Sequence, residues 1–378
     1  MQLRVDSAAE AGLRPDRLRD LEALLEEGIA EGAFPGAVAL IARGDVVGWH
    51  VARGEAEVTP SRRPAVLDTV FDLASVTKVA GALPVALSLW QQGRFVLDDP
   101  VRSVIPEFGA GTRGAVTFRH LLVHTSGLPA WKALYLEASS AEEMLAAVCR
   151  TPLAAPPGTT VEYSDLGILL LGAALERLGG RGIDALVHEV IVRPLGLRDT
   201  MYTPPETLRP RCAATEAGNA YEREKVGADG AGFPWREHVL CGEVHDGNAH
   251  YGLHGIAPHA GLFSTAWEVA TIGLQWLRPG ILGREDTLRE ATTDQRRGAA
   301  GYPRGLGWVL RHDGTFFEAL GPRSFGHTGF TGTSLAVDPD ADLIVVLLTN
   351  RVHFGGANTK IQEFRLRFHA AAGRAASP

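Results

Sequence analysis

Cysteine is scarce: the 378 residues hold three, Cys149, Cys212 and Cys241. An odd number, far apart and without metal-type spacing, they exclude a disulfide framework and read as reduced thiols. No apolar run reaches membrane-spanning length, which excludes a transmembrane helix. Basic runs are also missing. Lys and Arg total 37 against 44 Asp and Glu, a net charge of -7, so neither nucleic acid nor an anionic membrane is expected as a partner. The opening residues Met1-Gln2-Leu3-Arg4-Val5-Asp6 lack the apolar core of a signal peptide, and a cytoplasmic location is the expectation. No obligate protein partner is evident.

What is present is an ordinary globular composition, 45% hydrophobic and 21% charged. The chain is too long for one small core, so two lobes or an enlarged unit are expected. Leu18, Leu21, Leu24, Leu25 and Ile29 predict an amphipathic helix from Pro15 to Gly32. Val-rich runs at Gly36–Ile41 and Val46–Val51 flank Arg43-Gly44-Asp45 as a hairpin. A second β-rich region is predicted at Gly307–Arg311, Phe325–Thr328, Ser334–Val337 and Leu343–Leu348, followed by a helix from Ile361 to Ala372. Helical spacing fills the middle: Ser75–Gln92, with Pro84 an irregularity, then Thr117–Val123, Ala141–Cys149, Leu166–Leu178 and Ile183–Val192. Gly and Pro rise between Ala217 and Gly261, which predicts long loops. The fold class expected is α/β (α+β): an antiparallel sheet built from both termini and flanked by helices, with an inserted, mostly helical lobe. Residues 1–72 and 301–378 would form the sheet lobe, and 73–300 the insertion with its active-site loops.

Within Leu73-Ala74-Ser75-Val76-Thr77-Lys78 a hydroxyl and an amine stand three residues apart in an apolar stretch. On a helix these share a face. Apolar surroundings disfavour the charged amine, and a neutral amine can take the hydroxyl proton. The plain alternative is a capping Ser beside a Lys that reaches water.

Two further pieces follow in order: Tyr163-Ser164-Asp165 at the start of an apolar helix, and Gly326-His327-Thr328-Gly329-Phe330-Thr331-Gly332 entering a strand pair. With these the chain resembles the serine β-lactamase and penicillin-binding-protein superfamily, most closely its class C-like branch of esterases, D-peptidases and muropeptide amidase relatives. The motifs there are Ser-x-x-Lys, Tyr-x-Asn and Lys-Thr-Gly or His-Thr-Gly. Leu121-Leu122-Val123-His124-Thr125-Ser126-Gly127-Leu128, Pro157-Gly158 and Leu348-Thr349-Asn350-Arg351 add to the likeness, which runs from about Phe34 to about Asn350.

The resemblance implies that Ser75 is acylated and that Lys78 relays its proton. Tyr163 would pass a proton between Ser75 and the leaving group, a phenol beside an ammonium being more acidic. The backbone N–H groups of Ser75 and Phe330 would form an oxyanion hole, with Gly329 and Gly332 letting the strand edge come close. Asp165 replaces the usual amide, so it either keeps Lys78 protonated or turns away from it. His327 replaces lysine, and a mostly neutral imidazole supplies no permanent cation for a substrate carboxylate. Arg351 is the candidate substitute, its alternative being a solvated strand-end residue. Thr328 and Gly329 would also border the substrate. His124 reads as a hydrogen-bonded structural residue. The segment with His245, Asp246, His250, His254 and His259 lacks the spacing of a metal site; it reads as a cleft border, with His245 and Asp246 shaping the substrate. No cofactor is expected. Trp131–Tyr135, Tyr221–Trp235 and Tyr251–Ala260 are the expected pocket loops. Together these lead to a serine hydrolase acting through a Ser75 acyl-enzyme on ester or amide bonds, with esterase-type hydrolysis of small carboxylic esters the expected activity. The rivals are a β-lactamase or D-peptidase, a muropeptide amidase, and a non-catalytic binding module on the same fold.

Overall fold

The computed structural model describes residues 2–109 and 111–377. Its main sheet has eight strands, all drawn from the two ends of the chain. In order they are Arg4–Val5, Val46–Glu57, Gly36–Arg43, Leu343–Thr349, Ser334–Asp338, Phe325–Thr328 and Val309–Leu310, with Arg63–Pro64 added beside Val46–Glu57. Every pairing is antiparallel except that of Arg4–Val5. The Gly44-Asp45 turn closes the predicted hairpin, with Gly44 at φ +57°. Alternation along a strand sends Val38, Leu40 and Ala42 to one face and Ala37, Ala39 and Ile41 to the other, and both faces are covered. Leu343–Thr349 is buried at every position for that reason.

Helices Pro15–Ala30 and Ile361–Ala376 pack side by side on the outer face, where Phe34 meets Phe364 edge to face at 4.8 Å. Helix Ala266–Leu274, from the middle of the chain, covers part of the inner face. The middle is therefore not wholly separate from the sheet. Nor is it all helix and loop: Phe71–Asp72, Leu262–Ser264 and Met201–Tyr202 form a small sheet, and Ala214–Ala217 pairs with Val239–Cys241. Strands of two to four residues joined across long separations carry no readable period of their own. Only Val309–Leu310 of the expected Gly307–Arg311 strand pairs, because Gly307 sits at φ +73° and donates its N–H to Leu122 O.

The helix expected at Ser75–Gln92 is broken into a 3₁₀ turn at Ala74–Val76, a π turn at Lys78–Ala82 and an α-helix at Leu83–Gln91. Pro84 has no N–H for the carbonyl one turn earlier, and Leu83 N–H bonds Lys78 O instead. The same arrangement recurs at His188–Val192, ahead of Pro194. Among the described residues no helix is long and apolar enough to cross a membrane.

Asn350 joins the two ends of the chain. Buried, it accepts from Gly36 N–H at 3.1 Å and donates to Glu55 O and Ala56 O at 3.3 and 2.9 Å. Asn350→Ala leaves those three groups without partners, an expected loss of about 3 kcal/mol. A urea titration reads it directly, and a loss under about 1 kcal/mol would mean that water takes over the bonds.

Candidate active site

Ser75 lies where the terminal sheet meets the middle of the chain, on a turn held from several sides. Ala74, just before it, adopts φ +46°, unusual for a residue with a Cβ. Buried Asp72 holds that turn: one carboxylate oxygen accepts Ala74 N–H and the other His245 N–H, each at 2.8 Å. Thr331 and Thr333 hydroxyls donate to Asp72 O and Leu73 O at 2.7 and 2.8 Å. The turn and the Gly329 edge are thereby drawn together. A Cβ on Gly329 would meet Thr333 Oγ1 at 2.1 Å and Leu73 O at 2.4 Å, so the close packing of this edge on the Ser75 turn requires glycine.

Lys78 is 2% exposed. It donates to Ser75 Oγ and to His259 O, each at 2.9 Å, and forms an ion pair with Asp165 Oδ1 at 2.7 Å. Burial by itself drives the ammonium toward neutrality, but the Asp165 charge and the Tyr163 oxygen outweigh it, and the Lys78 pKa stands above its ordinary value. The neutral amine expected from the apolar sequence context is thus corrected. The Asp165 carboxylate, at a helix N-terminus 87 residues away in the chain, keeps the proton on.

Tyr163-Ser164-Asp165 is positioned by the end of helix Asp165–Gly179. Ser164 Oγ caps it, accepting Gly167 N–H at 3.0 Å, while Ser164 N–H donates to His124 Nδ1 at 3.0 Å. His124 is the structural residue it was read to be. It ends helix Phe118–Val123 at φ +59°, and its ring lies 4.7 Å from that of Tyr163. Tyr163 Oη is sealed from solvent, with Lys78 Nζ 5.1 Å from the ring centre. Burial raises the Tyr163 pKa. Lys78 and Ser75 offset this only in part, so the expected ease of deprotonation is corrected too.

His327 is buried and its pKa stands well below 6.5, first through burial and then through Arg304 and Lys78. It supplies no cation, as expected. One ring nitrogen lies 2.8 Å from Thr328 O, and Thr328 borders the cleft. Arg351 lies on the cleft wall, 6% exposed, and is not a free substitute. Its Nε donates to Phe330 O at 2.7 Å and its Nη1 to Gly356 O and Asn358 O. Arg365, which sequence reasoning passed over, donates to Gly329 O and Thr333 O at 2.7 and 2.8 Å. Since C=O and N–H of one trans peptide point opposite ways, anchoring Gly329 O on Arg365 points Phe330 N–H away from that guanidinium.

His245 stacks on the Phe330 ring at 5.5 Å and pairs with Glu216 at 3.0 Å. Asp246 pairs with His259, also at 3.0 Å. Among the described residues no group of His, Cys, Asp and Glu is arranged to hold a metal ion. The cleft between these walls measures about 1080 Å³, and Ser75, Tyr163, Asp165, His327, Phe330 and Arg304 all border it. Trp131 and Tyr221 from the expected pocket loops lie along it as well. Asp72, Arg304 and Arg365 were missed. The last two left a trace, as a charge directly before Gly305-Leu306-Gly307-Trp308 and a charge on the apolar face of helix Ile361–Ala376.

The chain resembles known proteins in sequence and in fold. The family model described as Beta-lactamase matches residues 21–368. A protein of Escherichia coli K12 named "Putative D-alanyl-D-alanine carboxypeptidase" is 30% identical across 92% of this chain and 85% of its own. The N-acetylmuramyl-L-alanine amidase of Bacillus subtilis is 31% identical across 93% and 84%. Of solved structures, the penicillin-binding-protein homologue of Caulobacter crescentus superposes with a TM-score of 0.74 at 20% identity, covering 96% of this chain and 98% of its own. EstCE1, a hydrolase with promiscuous acyltransferase activity, gives 0.72 at 22%, covering 93% and 98%. With a family match over nearly its whole length and relatives at about this distance on the same fold, the chain belongs to the Beta-lactamase family of serine hydrolases.

Proposed function

We propose that the protein hydrolyses ester or amide bonds of small acyl substrates through an acyl-enzyme on Ser75. The observation that carries the reading is the buried Lys78 amine, which donates to Ser75 Oγ and His259 O and is ion-paired with Asp165. Because Oγ accepts from Lys78, the Ser75 proton points elsewhere, and Tyr163 Oη is the acceptor that the relay uses. As Ser75 Oγ attacks the carbonyl carbon and its proton passes to Tyr163, Tyr163 gives its own proton to the leaving oxygen or nitrogen in the same event, donation running ahead of acceptance, and the leaving group departs as alcohol or amine. A phenol protonated at rest suits that exchange, since it never has to hold a full charge. Water then enters, loses a proton through the same phenol, and returns Ser75 with release of the acid. Asp165 serves by keeping Lys78 cationic, so that the ammonium stabilises the forming alkoxide.

The likeness of the fold to EstCE1 and the lack of a cation at His327 favour small carboxylic esters as the first assay. A second reading is an amide of cell-wall origin. It draws on the names of the two curated relatives and on a cleft near 1080 Å³, larger than a short ester fills.

A chromogenic short-chain ester, a β-lactam and a muropeptide, each tested with native protein and with Ser75→Ala, address both readings. Turnover of one substrate class by native protein is expected, along with a mass increase on Ser75 when deacylation is slow. Ser75→Ala loses at least about 10³-fold, and turnover that survives it refutes the Ser75 mechanism.

The oxyanion hole in this scheme is made by Ser75 N–H and Phe330 N–H, the latter aimed by Arg365 through Gly329 O. Arg365→Met should lower kcat on the order of 10–100-fold with KM little changed. A KM effect alone would assign Arg365 to substrate binding.

The His245–Glu216 pair supports the same edge through the Phe330 ring. Burial lowers the His245 pKa, but the hydrogen bond and charge of Glu216 raise it above 6.5 overall. The Glu216 pKa is held below its ordinary value against burial, chiefly by His245. A raised histidine stabilises the fold below about pH 6.5 and loses that contribution as pH rises through its folded value. A depressed glutamate contributes above about pH 4.3 and loses it in acid. The stability gap between wild type and Glu216→Gln should therefore be widest between about pH 5 and 6.5 and shrink on either side. Urea midpoints from pH 4 to 9, on the order of one per unit, check it; a gap flat across that range would remove the pair from the pH response.

A further inference from the structure

Arg304 is fully buried, yet among the described residues no carboxylate lies within ion-pair distance of it. Its Nη2 donates to Gly307 O at 3.0 Å, while Nε and Nη1 have no partner. Its guanidinium carbon stands 6.0 Å from the Tyr163 ring centre and 5.7 Å from that of Tyr302, on which His312 stacks. A buried cation with unused donors and no counter-charge is costly to keep. The other titratable neighbours do not supply the missing anion: His124 and His327 are both held neutral, by burial first and then by Arg304 itself.

We propose that Arg304 is an electrostatic positioning residue for Tyr163, a second cation beside Lys78 that stabilises the negative charge building on the phenol oxygen as it passes the proton. Tyr163 is faced by Ser75, Lys78 and Asp165 on one side and by His124, His327 and Arg304 on the other. In that ring of groups, Lys78 and Arg304 are the cations and Asp165 the anion. Asp165 already pairs with Lys78 at 2.7 Å, which leaves the guanidinium for the phenol. The effect is reciprocal, since negative charge on Tyr163 stabilises the charged form of Arg304. The negative charge that faces this arginine is therefore partial and transient, present only during reaction.

The inference rests on the Ser75–Tyr163 relay, and its test carries a readout that needs no turnover. The alkaline tyrosinate absorbance of the full chain is titrated for wild type, Arg304→Gln and Arg304→Lys, with Tyr163→Phe subtracted to isolate Tyr163. Gln retains a donor for Gly307 O without the charge. Arg304→Gln should move the Tyr163 titration upward by about one pH unit or more. Its kcat on a neutral ester should fall on the order of 10-fold or more with KM nearly unchanged, and Arg304→Lys should recover most of both. An unmoved Tyr163 titration in a folded Arg304→Gln protein overturns the proposal. So does a KM increase confined to anionic substrates, which would make Arg304 a substrate-reading residue. Should Arg304→Gln fail to fold, Arg304→Lys decides, because lost kcat with an unmoved titration would tie the role to guanidinium shape instead of charge. If Ser75→Ala retains turnover, the acyl-enzyme reading fails while the tyrosinate shift still reports on Arg304.

Discussion

One ammonium group organises this site. Lys78 Nζ donates to the neighbouring Ser75 hydroxyl and to the distant His259 carbonyl, and the distant Asp165 carboxylate supplies its counter-charge. Removing a lysine from water is costly, and the cost is met only when every donor is paired and a counter-charge is near. That requirement brings the Ser75 turn, the start of helix Asp165–Gly179 and the His259 loop to one point. It also sets the protonation states, because an ammonium held by a carboxylate is a hydrogen-bond donor and not a base. In the proposed relay the remaining proton traffic falls to the phenol.

Around that point the arginines divide their work. Arg351 and Arg365 satisfy carbonyls of the Gly329–Phe330 edge, and by fixing one side of each peptide they fix where its N–H points. Arg304 satisfies a single carbonyl. All three are buried, and among the described residues none makes an ion pair with a carboxylate. The strand side of the cleft is therefore positive, while Asp165, Asp246 and Glu222 lie along other parts of its wall. Such a division places charge by sign before any substrate arrives, which is how a rigid site lowers the reorganisation needed in a reaction.

Much of the frame was legible beforehand. Phe325–Thr328 falls where its residues predicted, and the hairpin, the flanking helices and the origin of the main sheet in both termini were readable because apolar period and turn residues are local properties. Other features were not. Arg4–Val5 and the strands of the small sheets are too short to show a period. The break after Ser75 needed the consequence of Pro84 worked out in hydrogen bonds. Asp72 looks like any acid near a helix start until His245 N–H arrives at its second oxygen.

By itself, the sequence determined which chemical groups are available and in what order: an alcohol and an amine three residues apart, a phenol followed by an acid, and a glycine-bracketed strand edge. It determined the neutral character of His327 as well, since imidazole has that tendency before burial strengthens it. Only tertiary structure decided the charge on Lys78, the acidity of Tyr163, the inward use of Arg351 and the isolation of Arg304. The reason is physical. Local sequence fixes covalent chemistry and short-range geometry, whereas the energy of a charge depends on what surrounds it within a few ångströms, and those surroundings come from segments tens to hundreds of residues away.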